Sequence, residues 1–352
     1  MCDPVKVGII GLGFGRNFMK EVIGGPNGKY VKIAAACDTD PERLQKARNA
    51  FGCHCYSQID DMLRDPAIEA VCLFTNPHGR AQIIQRVLSA GKHIITTKPF
   101  ELDSNAAQAV LNEAAKLGRV IHLNSPSTIE GDDIAQIRRW QREHDLGQVV
   151  FLASNQWYPS REKADGSWYD SPDQCPVAPI LRLGIYGIND MIAIMDEGPI
   201  EMQALSSRMF TGRPTADVAV LSMRFPSGSL ATVRATWCCA PETMWLECVF
   251  ERGVIRRETT DRPEPQSSIC TLHLTANGAD GKIIRDQVKI AQGQCNWAYR
   301  WDMFYRNVRE GQSIPAINPQ RIVEGVRVLE GLYEAQKTGR TVSLNNRKYQ
   351  MQ

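Results

Sequence analysis

Short apolar blocks alternate with longer stretches of helical periodicity through the first 123 residues. The blocks at 5–10, 31–37, 70–74, 93–96 and 120–123 run four to seven residues and read as strands. Between them, 16–23, 41–51, 78–90 and 104–117 carry apolar residues at helical spacing. Pro41 sits in the first turn of the second of these helices, with Asp38 or Asp40 available to cap it. Gly91 and Gly118 close the third and fourth. Short apolar strands alternating with helices predict βαβ units and a parallel sheet covered on both faces.

The rhythm changes after about Asn124. One further helix is expected at 132–144, ending near Gly147. Period-two alternation then dominates at 149–156, 202–210, 218–225, 230–237, 245–250 and 269–275. Pro226-Ser227-Gly228 and Asn277-Gly278 supply turns between these runs. A helical stretch at 181–195 interrupts them, 262–268 reads as a solvent loop, and 300–309 and 319–338 read as amphipathic helices. The expectation is an α/β domain over 1–124, then an α+β domain over 125–352 with a large, mostly antiparallel open sheet.

Composition narrows the function classes. A length of 352 residues suits about two domains, and 43% apolar content is enough to fill two cores. Lys and Arg total 41 against 39 Asp and Glu, so no basic face for nucleic acid is indicated. No apolar run approaches the ~18 residues that cross a bilayer. Met1-Cys2-Asp3-Pro4 passes directly into the first strand without a signal-peptide pattern, so a cytoplasmic location is expected. Eleven cysteines, an odd number, suggest free thiols in a reducing compartment. Cys37 and Cys72 lie in apolar runs and read as small hydrophobes. Cys53-His54-Cys55 lacks a second ligand pair, and adjacent Cys238 and Cys239 would point to opposite faces of a strand, so no metal is expected.

Two segments carry chemistry. The first strand runs into Gly11-Leu12-Gly13-Phe14-Gly15-Arg16, a departure from G-x-G-x-x-G, because the third glycine comes one place early. Such a turn lets backbone N–H groups approach a pyrophosphate at a helix N-terminus. Asp38 ends the second strand, where a carboxylate can accept bonds from the adenosine ribose and would repel a 2′-phosphate; this favours NAD over NADP. Asp38 as a helix cap is the other reading, and Arg16 could neutralise either a pyrophosphate or a 2′-phosphate. The first domain is therefore expected to be of Rossmann type. The second segment, Ala90-Gly91-Lys92-His93 through Lys98-Pro99-Phe100, places Lys98 at the carboxyl end of a parallel strand, where open α/β sheets bind ligands. Pro99 could hold a cis bond, and a plain surface lysine is equally compatible.

Gly8-Ile9-Ile10-Gly11-Leu12-Gly13, Cys37-Asp38, Thr75-Asn76-Pro77-His78 and Ala90-Gly91-Lys92-His93 with Lys98-Pro99 together resemble the Gfo/Idh/MocA oxidoreductases. Asp145-Leu146-Gly147-Gln148-Val149 and Thr338-Gly339-Arg340-Thr341-Val342 are similar to that family's later signatures. The resemblance implies a dinucleotide-binding domain, then a substrate domain whose open sheet forms homodimers or homotetramers. It implies NAD-dependent hydride transfer to or from a secondary alcohol of a sugar, polyol or sugar acid. Cofactor contacts would come from Gly11, Gly13, Phe14, Gly15, Arg16, Asp38, Thr75, Asn76, His78, Lys98 and Pro99. Lys98 matches the lysine of a Glu-Lys-Pro motif whose glutamate is Thr97 here. Arg182-Leu183-Gly184-Ile185-Tyr186 matches Asp-x-Gly-x-His, so Tyr186 takes the acid/base position and Arg182 reverses a charge.

A lone phenol titrates near 10, too high for a base at neutrality, and a nearby ammonium favours the phenolate. Tyr186 as general acid/base with Lys98 orienting substrate is therefore coherent. Arg182 either binds an acidic substrate or pairs with a carboxylate of the protein. Asn189 and Trp157 are further candidates for substrate contact, and Tyr158, Trp168 and Tyr169 could offer flat faces to a sugar ring or serve the core. Glycoside hydrolysis through transient oxidation and non-catalytic sensing are the alternatives within the same fold.

Overall fold

A computed structural model describes residues 3–22, 25–124, 126, 129–158, 163–237, 243–260, 269–296, 298–311 and 318–344. Cys238-Cys239 and the expected loop at 262–268 fall outside them. The chain divides into two compact units, Met1–Thr128 with Tyr299–Pro319, and Ile129–Ala298 with Gln320–Gln352.

The first unit is built on six parallel strands: β1 (Val5–Ile10), β2 (Val31–Cys37), β3 (His54–Tyr56), β4 (Ala70–Leu73), β5 (His93–Thr96) and β6 (Ile121–Leu123). Their order is β3-β2-β1-β4-β5-β6, the doubly wound arrangement whose direction reverses between β1 and β4. The helices are α1 (Leu12–Val22), α2 (Pro41–Phe51), the short α3 (Ile59–Leu63), α4 (Arg80–Ser89) and α5 (Ser104–Lys116). β3 and α3 were not expected: His54-Cys55-Tyr56 is a three-residue edge strand without an apolar block to announce it. α1 begins four residues before the expected 16, directly after Gly11, so the glycine cluster forms the first helical turn. Asp40, not Asp38, caps α2, accepting the N–H groups of Glu42 and Arg43.

The core of this unit draws on a distant segment. Helix α8 (Trp301–Glu310) was expected in the second domain, yet it packs in the first. Trp301, Phe304 and Tyr305 join Val5, Phe18, Met19 and Val31 in one buried cluster. Phe18 stacks on Phe74 and meets the edges of Tyr299 and Trp301. Arg309 fixes the end of α8 by gripping Glu69 at 2.6 and 2.8 Å.

The second unit is a nine-stranded sheet in the order β14-β13-β12-β11-β7-β10-β9-β8-β15. Its strands are β7 (Val149–Trp157), β8 (Glu201–Ser207), β9 (Val218–Arg224), β10 (Leu230–Thr236), β11 (Thr243–Phe250), β12 (Gly253–Thr260), β13 (Ile269–Asn277), β14 (Ile283–Ala291) and β15 (Val342–Ser343). All neighbours are antiparallel except β7 and β10, a central parallel pair that ends side by side at Trp157 and Thr236. Helices α6 (Asp132–Glu143), α7 (Ile185–Met195) and α9 (Pro319–Thr338) complete the unit. The strands alternate buried and exposed positions, as an antiparallel sheet with one covered face must. β12 and β14 were not expected.

A buried charge cluster ties α6 and α7 to the sheet. Arg257 on β12 donates to Asp133 at 2.6 Å and to Asp190 at 2.5 Å, and Asn296 donates to both carboxylates. Burial pushes Asp133 up to about 6, against the pull of the Arg257 guanidinium.

Candidate functional site

The glycine turn of the first unit is shaped by contacts that exclude side chains. Gly11 has φ +89°, and a Cβ there would lie 2.8 Å from the Phe74 carbonyl oxygen. The same test at Gly15 puts a Cβ 2.9 Å from Ile9 Cγ2 and 3.0 Å from Phe74 Cδ2. Gly15 therefore performs the close helix-to-sheet packing that the third fingerprint glycine provides elsewhere, one residue earlier. Gly13, Phe14 and Arg16 remain exposed along α1. This is a helix N-terminus opening directly from a strand, with backbone able to approach a bound anion.

Asp38 is buried at the end of β2. Its Oδ2 accepts the Leu12 N–H at 2.6 Å and its Oδ1 accepts the Asp40 N–H at 2.9 Å. Each carboxylate oxygen can accept two bonds, so capacity for ribose hydroxyls remains. Arg43, which sequence reasoning did not single out, places Nη1 3.7 Å from Asp38 Oδ2. The same guanidinium would be 3.8 Å from a Cβ at Gly13, so it lies over the glycine turn.

The loop after β4 brings Thr75, Asn76 and His78 to the carboxyl edge of the sheet. Asn76 Oδ1 accepts the His78 N–H at 3.0 Å and closes a small turn. Thr75 Oγ1 is buried and has no hydrogen-bond partner among the described residues. A buried hydroxyl without a partner costs about 1–3 kcal/mol, a cost that a ligand's polar group would relieve. The glycine cradle, the Asp38 carboxylate and this hydroxyl together fit a dinucleotide.

Lys98 follows β5, is half-buried, and precedes a cis peptide bond to Pro99. What holds this turn is Arg80, a residue the sequence did not flag. Arg80 is 2% exposed. Its Nη1 donates to the carbonyls of Thr97, at 2.7 Å, and of Pro99, and its Nη2 donates to the Thr75 carbonyl. One buried guanidinium thus grips the backbone on both sides of Lys98 and joins it to the Thr75 loop. Thr97 is buried at the position of the family glutamate. The carboxylate nearest in sequence, Glu101, is also buried and accepts the N–H groups of Ala81 and Leu102, both at 2.7 Å.

The second unit presents its candidates on a π-helical turn, Ile180–Gly184, that leads into α7. Such turns recur at functional sites because they re-aim side chains within a helix. Gly184 and Gly187 let this segment lie flush on the sheet: Cβ atoms there would be 3.2 Å from Val233 Cγ1 on β10 and 2.5 Å from Ser154 Oγ on β7. Tyr186 is half-buried in the first turn of α7. Asn189, one turn on, donates from Nδ2 to its own helix at the Ile185 carbonyl, 2.7 Å away.

Arg182 sits mid-turn with its guanidinium carbon 5.1 Å from the Trp237 ring centre and 5.5 Å from that of Tyr169. Trp168 and Tyr169 lie ring against ring at 4.1 Å. Trp157 ends β7 and Tyr158 follows it, donating its N–H to the Thr236 carbonyl beside the end of β10 that leads to Trp237. Tyr169 is therefore brought to Arg182, together with Trp237, which the sequence reading passed over.

Profiles of two families match the chain: an oxidoreductase family with NAD-binding Rossmann fold over residues 5–125, and the Gfo/Idh/MocA C-terminal domain over residues 134–256. The chain belongs to the Gfo/Idh/MocA oxidoreductases. An inositol 2-dehydrogenase/D-chiro-inositol 3-dehydrogenase of Lactiplantibacillus plantarum is 32% identical over 117 residues, 32% of this chain and 33% of that protein. The match thus spans about a third of that relative's length. Among solved structures, a putative NADPH-dependent oxidoreductase from Desulfitobacterium hafniense superposes with TM-score 0.79 at 17% identity, covering 97% of this chain and 98% of that one. An Agrobacterium radiobacter oxidoreductase, in complex with NAD+, L-tartaric acid and magnesium, gives TM-score 0.73 at 18% identity, covering 97% of this chain and 98% of that one. At such identities these likenesses bear on the fold. No helix among the described residues is long and apolar enough to cross a membrane.

Proposed function

We propose that this Gfo/Idh/MocA oxidoreductase is an NAD-dependent dehydrogenase of a sugar acid or related polyol, with Tyr186 exchanging the hydroxyl proton and Lys98 orienting the substrate. The observation that carries the substrate class is the half-exposed Arg182, held against Tyr169 and Trp237, where the family pattern has a carboxylate. A guanidinium in that place offers two parallel donors to a carboxylate or phosphate, and the aromatic faces suit the C–H surface of a sugar ring. A bound nicotinamide would supply the hydride acceptor or donor. Gly11, Gly13, Phe14, Gly15, Arg16, Asp38, Thr75, Asn76, His78, Lys98 and Pro99 are the residues proposed to hold the dinucleotide.

The charge of Asp38 favours NAD, and Arg43 beside it supports NADP as a second reading, since a guanidinium there can accept a 2′-phosphate. The open face of the nine-stranded sheet exposes Leu205 and Val220, direct partners across β8 and β9, and also Leu230 on β10. We assign that face to a second copy of the chain, giving a homodimer or homotetramer.

The test is absorbance at the reduced-nicotinamide band while sugars, polyols and uronic acids are offered with NAD and with NADP. Net reduction of cofactor by an acid substrate is the expected result. Product release without net reduction would replace this reading with the hydrolase. Tyr186→Phe and Lys98→Ala should each lower turnover by roughly 10²–10⁴-fold, the range of a lost general acid/base; wild-type turnover in both refutes the assignment.

A further inference from the structure

Arg182 is one corner of a closed ring of contacts. Its guanidinium meets the Trp237 ring at 5.1 Å and the Tyr169 ring at 5.5 Å, and Tyr169 and Trp237 meet edge to face at 6.5 Å. On Trp237 a second guanidinium, that of Arg213, lies 5.4 Å from the ring centre. Arg213 is 1% exposed and donates to Asp170 Oδ1 at 2.8 Å and to the Lys163 carbonyl at 3.0 Å. Asp170 adjoins Tyr169 in the chain and closes the ring.

The loop that delivers Arg213 is itself fastened. Asp217 accepts the N–H groups of Met209, Phe210 and Thr211 at 2.7 to 2.9 Å. Burial raises its carboxyl, but these three N–H groups and the Thr211 hydroxyl outweigh it and hold the group below the usual carboxylate range. The Trp237 N–H of the backbone donates to the Asp217 carbonyl, and Thr215 Oγ1 donates to the Tyr169 carbonyl at 2.8 Å. Every aromatic wall around Arg182 is thereby tied to one loop.

Trp237 is fully buried, yet its indole Nε1–H finds no acceptor among the described residues. A tryptophan kept for a hydrogen bond would have one. What the ring does offer is its face, the strongest cation–π surface among the side chains, and it presents that surface to two arginines.

We propose that Trp237, backed by the Arg213–Asp170 pair, is a positioning residue that fixes the Arg182 guanidinium and so sets the preference for acidic over neutral substrates. The inference rests on the reading that Arg182 faces the substrate. Rotational freedom is the main cost of using an arginine as an anion receptor, and a receptor already oriented loses less of it on binding.

The test measures the dissociation constants of D-glucuronate, D-galacturonate and D-glucose by calorimetry at saturating NAD, with NAD affinity as the control for folding. Wild type should bind one of the uronates more tightly than glucose. Arg182→Gln should abolish that difference. Trp237→Leu and Arg213→Met should each reduce it roughly tenfold, the scale of one charge-assisted bond, whereas Trp237→Phe keeps an aromatic face and loses less. If Trp237→Leu fails to fold, Trp237→Phe and Arg213→Met carry the comparison. Uronate preference that is lost in Arg182→Gln but intact in the Trp237 and Arg213 variants overturns this proposal and leaves the acid reading standing. No uronate preference in wild type, or one that survives Arg182→Gln, overturns the acid reading and the proposal with it.

Discussion

Replacing Arg80 with methionine should damage both the stability of the first unit and its grip on cofactor. The side chain is buried and its donors serve the Thr75, Thr97 and Pro99 carbonyls. Methionine matches the aliphatic stem and leaves these acceptors without the guanidinium. An acceptor orphaned in the interior costs about 1–3 kcal/mol, and water entering the vacated volume recovers part of that, so a loss of about 3–5 kcal/mol follows. At about 2–4 °C per kcal/mol for a protein of this size class, the melting temperature should fall by roughly 6–20 °C. Because the same carbonyls flank Lys98 and Thr75, NAD affinity and turnover should fall with it. Thermal melts by circular dichroism and titration of NAD by fluorescence quenching measure the two effects, and Arg80→Lys should recover only part of each. An Arg80→Met protein that melts within about 2 °C of wild type and binds NAD equally would refute the account.

Acid should weaken the first unit through two imidazoles. Burial lowers His93 and His122 to about 4, whereas the unfolded chain titrates near 6.5. Their contribution is whole above about pH 6.5 and is lost as pH falls towards 4, about 3 kcal/mol for the fully buried His122. Asp133, raised to about 6, acts in the opposite direction over part of this range. Denaturant melts of wild type and His122→Gln from pH 4 to 7 separate the two, and a stability difference that does not change with pH would contradict the assignment. Asp38→Gly should weaken NAD about tenfold, the worth of one charge-assisted bond, and improve NADPH relative to NADH. Adding Arg43→Ala should remove that NADPH gain, and fluorescence titration of both reduced cofactors reads the outcome.

The alternation of elements in the first unit was legible because strands buried on both faces are short apolar words, such as Ala70–Leu73 at β4 and Ile94-Ile95 within β5. The start of α1 was not legible, since glycines at 11, 13 and 15 argue against helix by propensity, while close packing against Phe74 and Ile9 demands those at 11 and 15. β12 escaped for a different reason. Its inward position at 257 is an arginine neutralised by Asp133 and Asp190, residues 124 and 67 positions away, so the apolar alternation is broken by a charge that only the fold explains. β14, an edge strand with polar residues on both faces, has no pattern to read. The motif-bearing residues Gly11, Asp38, Lys98, Arg182 and Tyr186 could be named from sequence. Arg80, Arg43, Arg213 and Trp237 could not, because each acts through partners that chain order does not reveal.

Helix α8 carries a consequence for how this protein can be taken apart. The first unit is interrupted by most of the second, and its aromatic cluster is finished by Trp301, Phe304 and Tyr305. A fragment ending at the change of rhythm near residue 124 would present Phe18, Phe74 and the flank of Tyr30 to water, an adhesive surface rather than a free-standing module. During synthesis the same surface waits, uncovered, for some 180 residues before its lid is translated. The nucleotide-binding half is thus the first to be begun, yet it is not completed until most of the second unit has been made.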